Sequence, residues 1–244
     1  MEVHHHGHTE RKKWTHYFWE FLMLFLAVTL GFFVENQREH YVEHQREKQY
    51  MRSMIEDLKS DTAQFAINSK VRIQRINMID SLVYLLSLPD YKNHLNSIYF
   101  FGRSISPPAN IFPNDRTIQQ LKSAGGLRLI RKTAVSNGIM AYDQDMRLHL
   151  FQLTDELEMR AEYRQLVRNI FDGKVFFSML QKTKFERPQN NPPLFKDDPA
   201  SVNALINEAQ YFKKADETQV ARIADLVKLA EALMELIKKE YDLN

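Results

Sequence analysis

The sequence has no cysteine and little glycine or proline, with Gly 7 and Pro 8 among 244 residues. Without cysteine the chain forms no disulfide, thiolate metal site or cysteine nucleophile. So few turn-forming residues favour long helices over a turn-rich β fold. Lysine and arginine (33) nearly balance aspartate and glutamate (31), so the chain lacks the basic field typical of nucleic-acid-binding proteins. We therefore expect an all-α protein with no nucleic-acid partner.

One apolar run, over residues 17–34, carries a single charge, Glu20. Its roughly 18 residues reach the minimum length for a helix that crosses a bilayer core of about 30 Å. Aromatic side chains that suit a membrane interface lie at its start: Trp14, Tyr17 and Trp19. The run predicts a transmembrane helix over residues 14–34, with the lipid bilayer as its first partner.

Three polar or small positions within this span are candidates for function. Glu20 lies about one turn inside the membrane face, where it reaches the headgroup layer or pairs with His16, four residues earlier. An acid that instead lined an ion path would be functional, but no polar residue continues such a path. Ala27 and Gly31 are spaced to let a second helix approach closely, which hints at association.

The segment before the span, residues 1–13, is predicted to be a cytoplasmic tail. It holds a histidine tract (His4, His5, His6 and His8) and then the basic cluster Arg11-Lys12-Lys13. Because basic residues beside a span stay in the cytoplasm, the cluster places the N-terminus inside and the rest of the chain outside. A cleaved signal peptide is the competing interpretation, but the apolar run continues past its small residues, so an anchor is favoured.

Residues 35–50, after the span, are helix-favouring and polar on nearly every face, which predicts a solvated stalk or a neck covered by partners. His40 and His44 stand four residues apart within it, a spacing that can place two imidazoles on one metal. The sequence supplies no third ligand nearby, so the two histidines are weak metal candidates beside the simpler interpretation of polar stalk residues.

Residues 51–244 are predicted to form an extracytoplasmic helical bundle. Apolar residues spaced three and four apart continue the first helix to Leu88-Pro89. They are Met51, Met54, Ile55, Leu58, Phe65, Ile73, Ile76, Ile79, Val83 and Leu86. A helix from Thr133 to Phe171 is predicted with the core stripe Ile139, Tyr142, Met146, Leu150, Leu153, Leu157 and Val167.

The last part of the chain is also predicted to be helical. Asp198-Pro199 has the order of a cap followed by the first helical residue, and Asp216 and Gln219 are placed as a capping box for the final segment. That segment's stripe is Val220, Ile223, Val227, Ala230, Met234, Ile237 and Tyr241. It fits either a seam within one chain or a coiled coil between chains, and its short length favours packing within the bundle.

Several of these stretches resemble one protein family. They are Arg-Lys-Lys-Trp-x-x-Tyr-Phe-x-Glu-Phe from position 11, Phe-Leu-Ala-Val-Thr-Leu-Gly-Phe-Phe-Val-Glu-Asn-Gln-Arg-Glu-His from position 25, Arg-Glu-Lys-Gln-Tyr from position 46 and Arg-Thr-Ile-Gln-Gln-Leu-Lys-Ser-Ala-Gly-Gly-Leu-Arg-Leu-Ile from position 116. Together they resemble an uncharacterised family of single-pass inner-membrane proteins of Gram-negative bacteria. The resemblance implies an inner-membrane anchor and a helical domain, and it implies no activity.

No stretch matches a motif for catalysis, phosphate binding or a dinucleotide cofactor. His94 and His149 are isolated in the sequence and are expected in loops or on the surface, and the carboxylates are expected at solvated positions. We therefore expect no enzyme and no cofactor. The prediction is an accessory or structural subunit of an envelope complex, with a protein partner or a second copy of the chain. The alternative is a periplasmic ligand sensor that signals through a partner.

Overall fold

The computed structural model describes residues 14–123, 125–180 and 184–243, and these are helical nearly throughout. Six α-helices occur in this part of the chain: α1 (Trp14–Leu86), α2 (Leu95–Ser104), α3 (Arg116–Ser123), α4 (Thr133–Ile170), α5 (Gly173–Ser178) and α6 (Pro199–Tyr241). Short 3₁₀ turns precede α2 and α4, at Tyr91–His94 and Gly126–Leu129. The described residues include no β-strand, only an isolated bridge between Leu180 and Phe185. The prediction of an all-α protein is confirmed.

The first helix contains the predicted span. An 18-residue window of α1 has a mean hydropathy of 1.9, and none of that window is buried. By length and composition this stretch is able to cross a membrane. The helix runs without a break and ends at Leu86, three residues before Pro89. Proline disfavours the helical conformation of the residue before it, which favours an end at this point.

The chain divides into two compact units, Met1–Gln49 and Tyr50–Asn244. In the first unit the described residues form one helical segment on which most large apolar side chains are exposed, among them Leu24 and Phe32. The second unit contains the remainder of α1 and all the other helices, and it holds the buried core.

The second unit has two apolar clusters. One joins the part of α1 from Met51 to Phe65 to α3, to the start of α4 and to the end of α6. The other joins the end of α1, from Ile79, to α2, to the end of α4 and to the start of α6. Because both clusters draw on α1, α4 and α6, these three long helices form the frame of the unit.

The three long helices bury residues at alternating intervals of three and four. On α1 the buried series is Met51, Met54, Leu58, Asp61, Phe65, Asn68, Arg72, Arg75, Ile79, Leu82 and Leu86. On α6 it is Val202, Leu205, Ala209, Phe212, Asp216, Gln219, Ile223, Leu226, Ala230, Leu233 and Ile237. Such a series keeps one stripe of a helix against its neighbours over many turns. Polar residues occupy the middle of both series.

Three helix ends show which groups fix the helix termini. The Asp198 carboxylate accepts a hydrogen bond from the Ser201 amide at 3.0 Å, and Pro199 occupies the first turn of α6, as predicted. At α3 the cap comes from another helix: Asp57 of α1 accepts from the Thr117 amide at 3.1 Å and from its hydroxyl at 2.7 Å. Gly125, two residues after the end of α3, has φ +64°, a left-handed conformation that glycine adopts readily.

Parts of the predicted core stripes are wrong. Ile73 is 47% exposed and Leu157 is 58% exposed, whereas their neighbours Arg72 and Glu156 are buried. The predictions assigned only apolar residues to the core stripes. They therefore missed the positions at which a polar residue keeps the same spacing and is buried. On α6 the residues Ile223, Ala230, Ile237 and Tyr241 are buried within the chain's own first cluster.

Candidate functional site

Five charged side chains meet in the interior of the second unit, between α1, α4 and α6. The Asp216 carboxylate accepts hydrogen bonds from Arg72 Nη1 at 2.7 Å and from Arg75 through Nε at 2.5 Å and also through Nη2. The Glu156 carboxylate accepts from Arg72 Nη1 at 2.7 Å, Arg75 Nη2 at 3.1 Å and Arg160 Nη2 at 2.5 Å. None of the five residues is more than 4% exposed. We call these residues the charge layer.

Backbone carbonyls of the segment between α2 and α3 complete the layer. Arg75 Nη1 donates to the Pro107 carbonyl at 2.9 Å, and Arg72 Nη2 donates to the Ala109 carbonyl at 3.1 Å. Arg72 Nε donates to Asn68 Oδ1 at 2.7 Å, and the side-chain Nδ2 of Asn68 donates to the Ala109 carbonyl at 2.9 Å. A buried guanidinium with its donors filled in this way avoids much of the cost of desolvation.

Opposite charges stabilise the ionised forms of Arg75 and Glu156 within the layer. Burial opposes the charge on Arg75, but its hydrogen bonds and the charge of Asp216 outweigh that effect and raise its pKa. Burial alone would raise the pKa of Glu156, yet the charges of Arg72 and Arg75 lower it. Three guanidiniums and two carboxylates leave one net positive charge. This arrangement holds three helices together and offers no free base or acid for chemistry.

His149 of α4 is buried at 0% exposure and belongs to the same inward series as Glu156. Among the described residues neither ring nitrogen has a hydrogen-bond partner. Burial, followed by the positive charges of Arg72 and Arg222, lowers the pKa of His149 to about 4, although the charge of Glu156 acts in the opposite direction. The imidazole is therefore neutral at pH 7. The prediction of a loop or surface position for His149 is wrong, because the 3–4 periodicity of α4 turns it inward.

A second polar cluster joins α1 to α3 and α4. Asp61 accepts hydrogen bonds from the Tyr142 hydroxyl at 2.6 Å and from the Asn114 amide at 2.7 Å. Burial raises the pKa of Asp61, and burial together with the Asp61 charge raises that of Tyr142. Asp57, one turn earlier, caps α3 and pairs with Arg116 at 2.8 Å. Both carboxylates are thus used to fix α3 and its preceding loop.

The predicted metal candidates lie on α1 without a built site. His40 Nδ1 is 3.8 Å from a Glu43 oxygen, and His44 Nδ1 is 3.3 Å from a Glu47 oxygen. Within residues 14–123, 125–180 and 184–243, no group of three histidine or carboxylate side chains is arranged to hold a metal ion. The histidine tract at His4, His5, His6 and His8, and the basic cluster at residues 11–13, lie outside the described residues.

The residues predicted for anchoring and association lie on the exposed part of α1. Trp14, Tyr17 and Trp19 are exposed, and so are Ala27 and Gly31. A Cβ atom built on Gly31 would meet no neighbouring atom within 4 Å, so the face around it is open. Glu20 Oε1 lies 3.0 Å from His16 Nε2, which is the pairing expected for two residues four apart.

The predictions for the other carboxylates need correction. Asp216 and Gln219 do not form a capping box, because α6 runs through them without interruption and both are buried. The expectation that carboxylates occupy solvated positions is wrong for Asp57, Asp61 and Glu156. A signal was present in the sequence: Asn68, Arg72 and Arg75 fall in phase between Phe65 and Ile79, and Asp216 and Gln219 fall in phase between Phe212 and Ile223.

No family model, curated protein or solved structure matches this chain. The resemblance to a family of inner-membrane proteins therefore stays a prediction that rests on the quoted motifs.

Neutralising Asp216 is expected to destabilise the second unit strongly. Asp216→Asn leaves Arg72 and Arg75 buried beside a neutral amide, and breaking a buried pair in this way costs about 3–5 kcal/mol. The measurement is chemical denaturation of the full chain in mild detergent, followed by circular dichroism at 222 nm. Asp225→Asn is the matched control, since Asp225 is on the same helix with its side chain 77% exposed. Equal midpoints for the two variants would show that the layer is not stabilising.

Removing the His149 imidazole is expected to reduce the acid sensitivity of folding. The unfolded chain protonates a histidine near pH 6.5 and the folded chain near pH 4. The unfolded state therefore binds more protons in this window, so the free energy of unfolding falls as the pH drops from 6.5 to 4, by at most about 3 kcal/mol. His149→Leu should lack that contribution.

The measurement for His149 is the difference between the wild-type and variant unfolding free energies at several pH values. Taking a difference removes the acid loss caused by Glu156 and the other carboxylates, which both proteins share. His94→Leu, at a histidine whose side chain is 41% exposed, is the control and should follow the wild type. Parallel curves for wild type and His149→Leu would contradict the assignment.

Proposed function

We propose that this protein is a membrane-anchored structural or accessory subunit of a cell-envelope complex, with a helical domain that it presents to protein partners. The observation that carries the proposal is the first part of α1, an apolar window of mean hydropathy 1.9 with none of its residues buried. A contiguous apolar surface of this size is costly in water, and it is stabilised when lipid covers it. Anchoring is thus the property that the chemistry of α1 supports best.

The orientation forms part of the proposal. Arg11-Lys12-Lys13 directly precede the described start of α1 and favour a cytoplasmic N-terminus, with the second unit on the extracytoplasmic side. The motif resemblance favours the inner membrane of a Gram-negative bacterium as the membrane in question. The aromatic residues at 14, 17 and 19 suit the interface on the cytoplasmic side.

A role without catalysis is supported by how the buried charges are used. The carboxylates of Glu156 and Asp216 accept hydrogen bonds from guanidiniums, and those of Asp57 and Asp61 fix α3 and its loop. Ionic groups engaged in this way stabilise one arrangement of helices. A domain with a fixed arrangement is suited to presenting a surface.

The surface for a protein partner is proposed on the second unit's part of α1. Ile67 is 68% exposed and Val71 is 40% exposed, and their spacing of four places them on one face of the helix. Large exposed apolar residues on one face are typical of interaction surfaces. A second copy of this chain or a different envelope protein would cover this apolar face.

Reporter fusions test the location and orientation. We expect alkaline phosphatase fused after Asn244 to be active and green fluorescent protein at the same point to be dark, with both fusions resisting extraction by alkaline carbonate. Changing Arg11, Lys12 and Lys13 together to Gln should shift the balance toward the opposite orientation. Arg52→Gln, further from the span, is the control. An active fluorescent protein on the unaltered chain would refute the proposed orientation.

The partner is tested by gentle detergent extraction from the native host and quantitative mass spectrometry of the purified complex. We expect a stoichiometric partner, or a defined oligomer of the chain, that is lost about tenfold or more in the double variant Ile67→Glu, Val71→Glu. Tyr84→Glu is the matched control, since Tyr84 is also apolar, exposed and on α1. A clean monomer, or equal recovery with all variants, would reject the accessory-subunit role.

A further inference from the structure

A groove on the second unit is lined by three arginines and no acidic residue. Its volume is about 340 Å³, within the range of small-molecule clefts, and its walls come from α2, α4, α5 and the segment after α2. The lining residues are Arg103, Ser106, Ala161, Arg164, Val167, Arg168 and Phe176. It lies apart from the charge layer, none of whose residues line it.

The groove's arginines are held in place by contacts that leave their charge uncompensated. Arg164 Nη2 donates to the Ser106 carbonyl at 2.9 Å, and Arg168 Nη2 donates to Gln165 Oε1 at 2.5 Å. Both acceptors are neutral. Among the described residues no carboxylate lies within ion-pair distance of Arg103, Arg164 or Arg168, whereas each arginine of the charge layer has one. A bound anion would supply the missing charge.

Arg103 is oriented by aromatic rings. Its guanidinium carbon lies 5.3 Å from the centre of the Phe176 ring and 5.0 Å from that of Phe185. Such stacking fixes the plane of the guanidinium while leaving its edge able to donate hydrogen bonds. Its Nε is buried and has no acceptor among the described residues. An unfilled buried donor of this kind is a cost that an acceptor on a ligand would remove.

Arg164 and Arg168 also continue a row of like charges along α4. Arg160, Arg164 and Arg168 are spaced by four, so each lies above the next on one face of the helix, an arrangement that is unfavourable for like charges. Burial lowers the pKa of Arg160, and the positive charges of Arg75 and Arg164 add to that effect against the opposing charge of Glu156. Glu156 compensates the first member of the row, and the other two face the groove.

We infer that this groove binds a small soluble organic anion, with a phosphate or carboxylate on Arg103, Arg164 and Arg168 and an apolar or aromatic body against Val167 and Phe176. Guanidiniums match the planar or tetrahedral oxygens of such groups through paired hydrogen bonds. The apolar part of the lining sets the preference for an anion with a hydrophobic body over a bare inorganic ion. This site is independent of the proposed anchoring role.

Isothermal titration of the full chain in phosphatidylcholine nanodiscs tests the site. The probes are phenyl phosphate, benzoate, inorganic phosphate and, as a neutral analogue, benzyl alcohol. We expect phenyl phosphate to bind one per chain, more tightly than inorganic phosphate, and benzyl alcohol to give no heat. The double variant Arg164→Gln, Arg168→Gln should weaken binding tenfold or more, while Arg52→Gln, at an exposed arginine elsewhere on α1, should not change it.

Because Arg164 and Arg168 are exposed, the double variant is expected to keep the wild-type circular dichroism spectrum and melting temperature. No heat with phenyl phosphate or benzoate, equal binding of benzyl alcohol, or equal weakening by Arg52→Gln would each overturn the assignment. A repeat in nanodiscs containing anionic phosphatidylglycerol identifies the source of the anion. Unchanged binding there supports a soluble ligand, and loss of binding assigns the groove to a lipid headgroup and overturns the soluble one.

Discussion

The buried pairing of Asp216 with Arg72 and Arg75 is the constraint on which the second unit depends. These charges come from helices whose residues are more than 140 positions apart in sequence, and they lie where the two apolar clusters end. A guanidinium without its carboxylate would cost more in this interior than most apolar contacts return. The arrangement of α1 and α6 is therefore stable only when Asp216 lies beside Arg72 and Arg75.

The apolar stripes alone would not select that arrangement. Their spacing of three and four repeats every seven residues, so a helix displaced by seven still presents apolar residues to its neighbours. Such a displacement of α6 would bring Ala209 or Ile223 to the level of Arg72 and would move Asp216 against an apolar cluster. The cost of two uncompensated buried groups disfavours the displaced register. The polar layer thus acts on specificity as well as on stability.

The sequence predicted the parts of this fold that depend on local chemistry. The long apolar stretch of α1, the end of α1 before Pro89 and the start of α6 at Asp198-Pro199 each follow from residues next to one another. The charge layer does not, because a buried Arg72 is favourable only beside Asp216, and nothing local to either residue supplies the other. The same dependence explains why His149 and Glu156 were expected at the surface.

The periodicity of the sequence nevertheless indicates which polar residues are buried. Polar residues that keep the phase of an apolar stripe are buried here on α1, α4 and α6, whereas apolar residues that leave the phase, such as Ile73 and Leu157, are exposed. Phase was therefore a better guide to burial than hydrophobicity in the middle of each helix. The groove could not be found in this way, because its lining comes from α2, α4 and α5, whose relative placement depends on the second apolar cluster.

The arginines of α4 show how one repeated residue takes two roles within three turns. Arg160 has a carboxylate four residues before it, Glu156, and both are enclosed by neighbouring helices, so the charge becomes part of the core. For Arg164 and Arg168 the preceding residue at that spacing is another arginine, and Asp172, four residues after Arg168, caps α5 through the Lys174 amide. Arg164 and Arg168 therefore lack the carboxylate partner that Arg160 has among the described residues. An excess of positive charge beside an apolar wall is the physical basis for binding an anion at that end of α4.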